Sequence, residues 1–217
     1  MLNAEIAVLT LFSSNLIGQT EIPSIQESRV MSQAAHKTKL RRLLLQKRQS
    51  MTQQEWQEKS DRICFHLQSS SLFFQAKTVL SYFSVRQEPE LSRLFTINKS
   101  WGLPRCVDKS LTWHLWNAGD DVQIGAYNIP EPHARAPLIS VSEVDLILVP
   151  AIACDTQGYR LGYGGGFYDR LLSCPEWMSK PAIGITFDFA YLEQLPVEAW
   201  DKPLDGVCTE TGLKMMR

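Results

Sequence analysis

No C-x-x-C pair occurs anywhere in the chain, although it carries five cysteines, Cys64, Cys106, Cys154, Cys174 and Cys208. An odd, scattered set supplies neither a disulfide framework nor zinc spacing, and it points to buried thiols in a reducing compartment. The four histidines, His36, His66, His114 and His133, also lack H-x-x-x-H or any other ligand spacing, so no metal role attaches to them. A basic surplus is missing too: 22 Lys and Arg face 23 Asp and Glu, for a formal net charge of −1. Binding to nucleic acid or anionic membranes usually shows such a surplus. Neither partner is therefore expected, and any anion must be met by local placement of Lys and Arg.

The opening segment, MLNAEIAVLTLFSSNLIGQT, lacks the marks of a targeting sequence. Its apolar run is short, no positive residue precedes it, and the first basic residue is Arg29. A signal peptide begins with positive charge, and a membrane span needs about 20 apolar residues. Transit peptides are rich in Arg and poor in acids, which Glu5, Glu21 and Glu27 contradict. Residues 1–31 are expected to be a disordered extension, or the product of a start codon assigned upstream of Met31. The protein is expected to be cytoplasmic.

What is present suits a globular enzyme. Hydrophobic residues make up 44% of the 217 and charged residues 21%, enough to bury a core. One domain over residues 32–217 is expected, without internal repeats or low-complexity tracts. Residues 32–49, free of Gly and Pro, read as a helix on which Lys37, Arg41 and Arg48 project within about 40° of one another. Leu40, Leu43 and Leu44 lie on the adjoining face. Taken alone, the cationic edge reads as a solvated basic face. Thr52 and Glu55 suggest a capping box opening a second helix. Residues 78–83 predict the first strand, and Pro89 suits the first turn of a short helix carrying Leu91 and Leu94. Further strands are expected at 101–107 and 111–116, then a long surface connection over 117–143. Residues 145–153, DLILVPAIA, have the continuous apolar character of a strand covered on both faces. Another strand is expected at 181–187, so helices and buried strands interleave as in an α/β layered domain.

Residues 160–170 read RLGYGGGFYDR, with four glycines in five positions. This is not a Walker A loop, and the third glycine of the dinucleotide fingerprint is replaced by Phe167. The segment does lie between a buried strand and a helix start, where ligands gather in α/β sheets. Glycines there let backbone N–H groups approach an anion, and Arg160 and Arg170 add charge-assisted donors. Asp169 beside such a cradle implies a cation such as Mg²⁺ between them. Asp201 and Asp205 are further hard oxygen ligands. The other reading is a tight turn in which Asp169 pairs with Arg170 or Arg160.

Taken with its surroundings, LILVPAIACDTQGYRLGYGGGFYDRLL closely resembles the signature of the 5-formyltetrahydrofolate cyclo-ligase, or 5,10-methenyltetrahydrofolate synthetase, family. Supporting pieces follow in order: K-T-K-L-R at 37–41, Y-F-S-V-R-Q-E at 82–88, L-P-R at 103–105, N-I-P-E-P at 128–132 and L-P-V-E-A-W-D-K-P-L-D at 195–205. The likeness covers roughly residues 37 to 210. Trp200 stands where many members carry His, Gly165 where some carry Lys, and Cys106 follows L-P-R. None of these removes a group the chemistry needs.

The resemblance implies a three-layer α/β/α sandwich with a mixed, mostly parallel sheet, as in some sugar-phosphate isomerases and CoA transferases. It also implies ATP- and Mg²⁺-dependent closure of 5-formyltetrahydrofolate to 5,10-methenyltetrahydrofolate, by phosphorylation of the formyl oxygen, in a monomer. By position, Lys37, Arg41 and Arg160 would hold ATP phosphates and act in catalysis. Leu161, Gly162, Tyr163, Gly164, Gly165, Gly166, Phe167 and Tyr168 would complete the nucleotide cradle, with Tyr163 through Phe167 also touching the folate. Asp169 and Asp201 would hold Mg²⁺. Glu88 would accept hydrogen bonds from the pterin, with Phe83 against its ring and Tyr127, Trp101 or Trp113 offering further stacking. The rival readings are a sugar-phosphate enzyme of the same architecture working without ATP, and a folate- or nucleotide-binding module without turnover.

Overall fold

The computed structural model of the chain describes residues 33–216; the expected N-terminal extension lies outside them. Helix α1 spans Gln33–Gln49, and Lys47 and Arg48 lie in its last turn, where the helix dipole favours positive charge. Helix α2 (Gln53–Gln68) starts at Thr52, whose hydroxyl accepts from the Glu55 amide at 3.1 Å, the forward half of the expected capping box. A short α3 (Ser71–Gln75) is capped by Ser70.

The strands in chain order are β1 (Thr78–Leu80), β2 (Ser100–Val107), β3 (Ser110–Leu115), β4 (Val122–Ile124), β5 (Pro130–Pro132) and β6 (Leu146–Pro150). They continue with β7 (Ala153–Asp155), β8 (Arg160–Leu161), β9 (Ala182–Ile185), β10 (Tyr191–Leu192), β11 (Gly206–Thr209) and β12 (Gly212–Met215); α4 (Phe167–Ser173) follows β8. The main sheet has the order β12-β11-β9-β6-β1-β2-β3. Its five inner strands pair in parallel, and the edge strands β12 and β3 are antiparallel.

Alternation along these strands creates two cores. Leu146 and Leu148 join Val79, Ile183, Ile185 and Cys208 on one face, while Ile147 and Val149 join Leu80, Ala182 and Val207 on the other. Both faces are apolar, so both need a cover. Helices α2 and α3 cover the first through Ile63, Leu67 and Phe73, and α4 with the turn after it covers the second through Leu171, Leu172 and Trp177. Each such side chain stabilises by about 1.5–3 kcal/mol when fully buried. The result is the expected three-layer arrangement. Helix α1 sits apart from both layers, where its Leu44 packs on Ala153 and Leu161 of the small β10-β7-β8 sheet and on Ile152 just before β7.

Three local expectations are corrected. Strand β1 ends at Leu80, and the residues after it turn away, with Arg86 and Gln87 both left-handed at φ 50° and 55°. The helix expected from Pro89 is a 3-10 turn over Ser92–Thr96; Pro89 lies outside it, its carbonyl taken by the Tyr82 hydroxyl at 2.9 Å. The connection over 117–143 contains the β4–β5 hairpin, with Tyr127 and Asn128 left-handed at its tip. Pro130 and Pro132 hid that strand, since proline suits only an edge.

The chain runs from β1 outward to β2 and β3, then returns to place β6 on the other side of β1. This reversal opens a crevice at the carboxyl ends of β1 and β6. Residues 81–88 leave β1 there, and the segment reaching the glycines leaves β6. Among the described residues no helix is long and apolar enough to cross a membrane.

Candidate active site

The cationic edge of α1 is not a solvated face. Lys37 is 6% exposed, and its Nζ donates to Glu198 Oε2 at 2.8 Å and Asp201 Oδ2 at 2.5 Å. Burial disfavours the ammonium, but the bonds to Asp201 and Glu198 outweigh it and raise the Lys37 pKa above the ordinary lysine value. Asp201 is itself held in place, because Oδ2 also accepts from the Glu198 amide at 2.8 Å. One turn on, Arg41 Nε donates to the Gly162 carbonyl at 2.7 Å.

The glycine segment is arranged by cations that take its carbonyls. Arg41 takes Gly162, and Arg170 takes Gly165 at 2.9 Å and Lys109 at 2.6 Å. Arg170 therefore fastens the segment instead of standing free for an anion. No described residue accepts from the amides of Gly164, Gly165 or Gly166. Two glycines are demanded by backbone geometry, since Gly164 has φ +97° and Gly166 φ +68°. Arg160 Nη2 donates to Asp169 Oδ1 at 2.6 Å, while its Nε is buried without a partner. Leu161 belongs to the core beneath α1 and offers only backbone to the site. Tyr168 turns inward, its ring 5.4 Å from the Arg160 guanidinium and its hydroxyl buried without a partner. Phe167 stays half-buried, edge-on to Tyr127 at 5.9 Å.

At the far end of α1 a second group of residues meets Glu88, which is 2% exposed. Its Oε2 accepts from the Val85 amide at 3.1 Å. Burial pushes its carboxyl above the usual carboxylate range, and the charge of Arg48, the Val85 amide, the Tyr163 hydroxyl and Arg86 pull it back. Arg48, 3% exposed, donates from Nε to the Arg86 carbonyl at 3.1 Å and from Nη2 to the Tyr163 hydroxyl. Burial and the neighbouring Glu88 charge raise the Tyr163 phenol, so it remains a neutral donor.

Among the aromatic candidates, Phe83 is half-buried and edge-on to Trp116 at 5.2 Å. Trp101 and Trp113 are each 2% exposed, one in each main core, and are removed from the stacking candidates. Tyr127 is 68% exposed beside Phe167 and remains. Sequence reasoning assigned no role to Arg48, Arg86, Glu198 or Trp116. The signal for Arg48 was its place on the face of Lys37 and Arg41; for the others a single sequence holds none, because tertiary packing recruits them.

The expected metal residues do not share one cluster: Asp169 is on Arg160 and Asp201 is on Lys37. Among the described residues no group of three His, Cys, Asp or Glu is poised to hold a metal. Mg²⁺ commonly takes only one or two carboxylates and fills its shell with water and phosphate oxygens. Two separate carboxylates beside unpaired amides and an orphaned Arg160 Nε therefore fit Mg²⁺ carried with a polyphosphate, and do not form an all-protein cage.

Comparison with known proteins gives a consistent result. The family model described as the 5-formyltetrahydrofolate cyclo-ligase family matches residues 33–210. A 5-formyltetrahydrofolate cyclo-ligase of Mycolicibacterium smegmatis is 31% identical over 83% of this chain and 97% of its own length. The Escherichia coli K12 protein of that name is 29% identical over 77% and 96%. The solution structure of Aquifex aeolicus 5,10-methenyltetrahydrofolate synthetase superposes with a TM-score of 0.74 at 32% identity, covering 83% of this chain and 93% of the other.

Proposed function

The chain belongs to the 5-formyltetrahydrofolate cyclo-ligase family, and from that premise we propose that it closes 5-formyltetrahydrofolate to 5,10-methenyltetrahydrofolate at the expense of ATP, releasing ADP and phosphate. The observation that carries the ATP half of this reading is the meeting of Arg41, one turn from Lys37, with a glycine segment whose Gly162 and Gly165 carbonyls are taken by arginines and whose amides at Gly164, Gly165 and Gly166 no described residue takes. Such a surface binds anions by backbone donors and fixed cations together.

The chemical difficulty is the formyl oxygen, a poor leaving group in water. Its attack on the γ-phosphorus releases ADP and makes the oxygen a phosphate ester. The neighbouring folate nitrogen then adds to the activated carbon and gives its proton to water, and phosphate departs with that oxygen as the carbon–nitrogen ring closes. The protein's task is positioning and charge neutralisation, as is general for phosphoryl transfer. Lys37, Arg41 and Arg160 neutralise phosphate oxygens, and the amides of Gly164, Gly165 and Gly166 orient them. Asp169 and Asp201 would hold Mg²⁺, which would offset charge on the polyphosphate. Each carboxylate is paired with a cation in the structure, Asp201 with Lys37 and Asp169 with Arg160, so a metal held by them would leave those cations for phosphate oxygens.

Glu88, at the carboxyl end of β1, accepts N–H donors of the pterin. Phe83 and Trp116 wall the ring, and Tyr127 covers the junction from the hairpin tip. Purified protein with 5-formyltetrahydrofolate and Mg·ATP builds the near-ultraviolet absorbance of the conjugated methenyl product and releases equimolar ADP. Absence of ATP-dependent product from folded protein overturns the reading. Nucleotide binding without ADP release would identify a module without turnover instead.

A further inference from the structure

Arg48 is the least explained charge in the molecule. It is 3% exposed, it comes from α1, and it touches two segments distant in sequence: the Arg86 carbonyl in the loop after β1, and the Tyr163 hydroxyl in the glycine segment. Its Nη1 is buried without a partner. The loop it grips carries two consecutive left-handed residues, Arg86 and Gln87, immediately before Glu88. Such a backbone costs energy at each residue and persists only where surrounding contacts hold it. A guanidinium in this position would be a costly device for mere packing, since an unpaired buried nitrogen opposes folding.

We propose that Arg48 is a positioning residue for the cyclo-ligase reaction: it supplies the positive charge facing Glu88 and fastens the Glu88 loop to the glycine segment through Tyr163. The folate acceptor and the phosphate cradle are then joined by one side chain. The inference rests on the functional reading above for the role of Glu88, on the bonds to Arg86 and Tyr163 for the placement of Arg48, and on its charge acting on Glu88. Glu88 is faced by Arg48 from α1, Tyr163 from the glycine segment, Tyr168 from α4, and Arg86 and Tyr82 from its own segment. Only the two arginines are positive, and Arg86 is exposed to water while Arg48 is not. Water screens the exposed charge, so Arg48 carries most of the compensation. Without it, Glu88 takes up a proton at a higher pH and stops accepting from pterin N–H groups.

The test uses the full chain with Arg48→Met, Arg48→Lys and Glu88→Gln, each checked for folding by near-ultraviolet circular dichroism. In ligand-free protein, the carbon-13 carboxyl resonance of Glu88, assigned by its loss in Glu88→Gln, is titrated. Arg48→Met is expected to move that titration upward by about one pH unit or more, and Arg48→Lys by much less. In parallel, 5-formyltetrahydrofolate binding without nucleotide is followed by tryptophan fluorescence from about pH 6 to about pH 9. Arg48→Met should lose affinity about tenfold per unit on the acidic side and recover on the alkaline side. Glu88→Gln should be weak at every pH, with a flat profile.

An unmoved Glu88 titration in folded Arg48→Met overturns the inference, as does a loss of affinity in that variant that is the same at every pH. If Arg48→Met does not fold, Arg48→Gln takes its place in both measurements with the same expected signs. Should the titration move while wild-type protein binds no folate, the folate reading falls and the placement of Arg48 stands.

Discussion

Helix α1 presents Lys37 and Arg41 near one end and Arg48 at the other, on one face and with one sign of charge, yet the two ends meet different company. At 1.5 Å per residue, Lys37 and Arg48 are about 16 Å apart along the axis. Lys37 is answered by Glu198 and Asp201, whose side chains keep 23% and 11% of their exposure and can be reached by a competing ligand. Arg48, itself buried, donates to a phenol and a backbone carbonyl, with the buried Glu88 carboxylate nearby as a charge. The first arrangement is exchangeable: an arriving phosphate can replace one anion by another. The second is fixed, because moving Arg48 off the Tyr163 hydroxyl and the Arg86 carbonyl would leave a buried guanidinium without its partners. A polyphosphate that comes and goes suits the first, and a preformed acceptor for a flat heterocycle suits the second.

Three changes sharpen or break that comparison. The largest effect is expected at the exchangeable end. Asp169→Ala should lower turnover by about 10²-fold, as for removal of one electrostatic stabiliser. Steady-state kinetics at ordinary Mg²⁺ checks it, and near-normal turnover would remove Asp169 from the site. Next, Lys37→Met should weaken Mg·ATP by about tenfold, the value of a charge-assisted contact, and leave folate affinity within about threefold. Isothermal titration with each ligand separates these, and equal weakening of both would mean that the two ends are not independent. The smallest effect is expected from Tyr163→Phe, which deletes the hydroxyl between Arg48 and Glu88 and keeps the ring. Folate binding should fall by about threefold to tenfold, with Mg·ATP affinity unchanged.

Lys37 also has a pH signature. Its folded pKa is raised, so the stability it contributes is fully present below the pKa of an unfolded lysine and is lost only as pH rises through the folded value. The difference in urea midpoint between wild type and Lys37→Met should therefore stay constant across neutral pH and shrink only in strongly alkaline buffer.

Much of the fold was legible because its signals are local. The apolar run of β6, the Thr52 cap and the glycine-free opening of α1 each follow from neighbouring residues. The errors arose where distant groups decided the outcome. Strand β1 stops at Leu80, as the segment after it is drawn aside by Tyr82 on Pro89 and by Arg48 on Arg86. The β4–β5 hairpin forms despite its prolines, with Glu131 buried beneath it accepting from the Cys106 amide of β2 at 2.8 Å. Trp101 and Trp113 looked like stacking surfaces in a list of aromatics, and only their positions on opposite inward faces of the sheet exclude them.

By itself the sequence determined which chemistry was possible: a cationic helix edge, a glycine run able to approach an anion, and acids for a metal and a pterin. These follow from side-chain type and short-range spacing, which every stretch of chain carries within itself. Only the tertiary structure decided the pairings. Lys37 meets Asp201 across 164 residues, Arg41 meets Gly162 across 121, and Arg48 meets Tyr163 across 115. No local rule links residues so far apart. They meet because the reversal of strand order beside β1 and the packing of Leu44 on Ile152 bring α1 over the crevice.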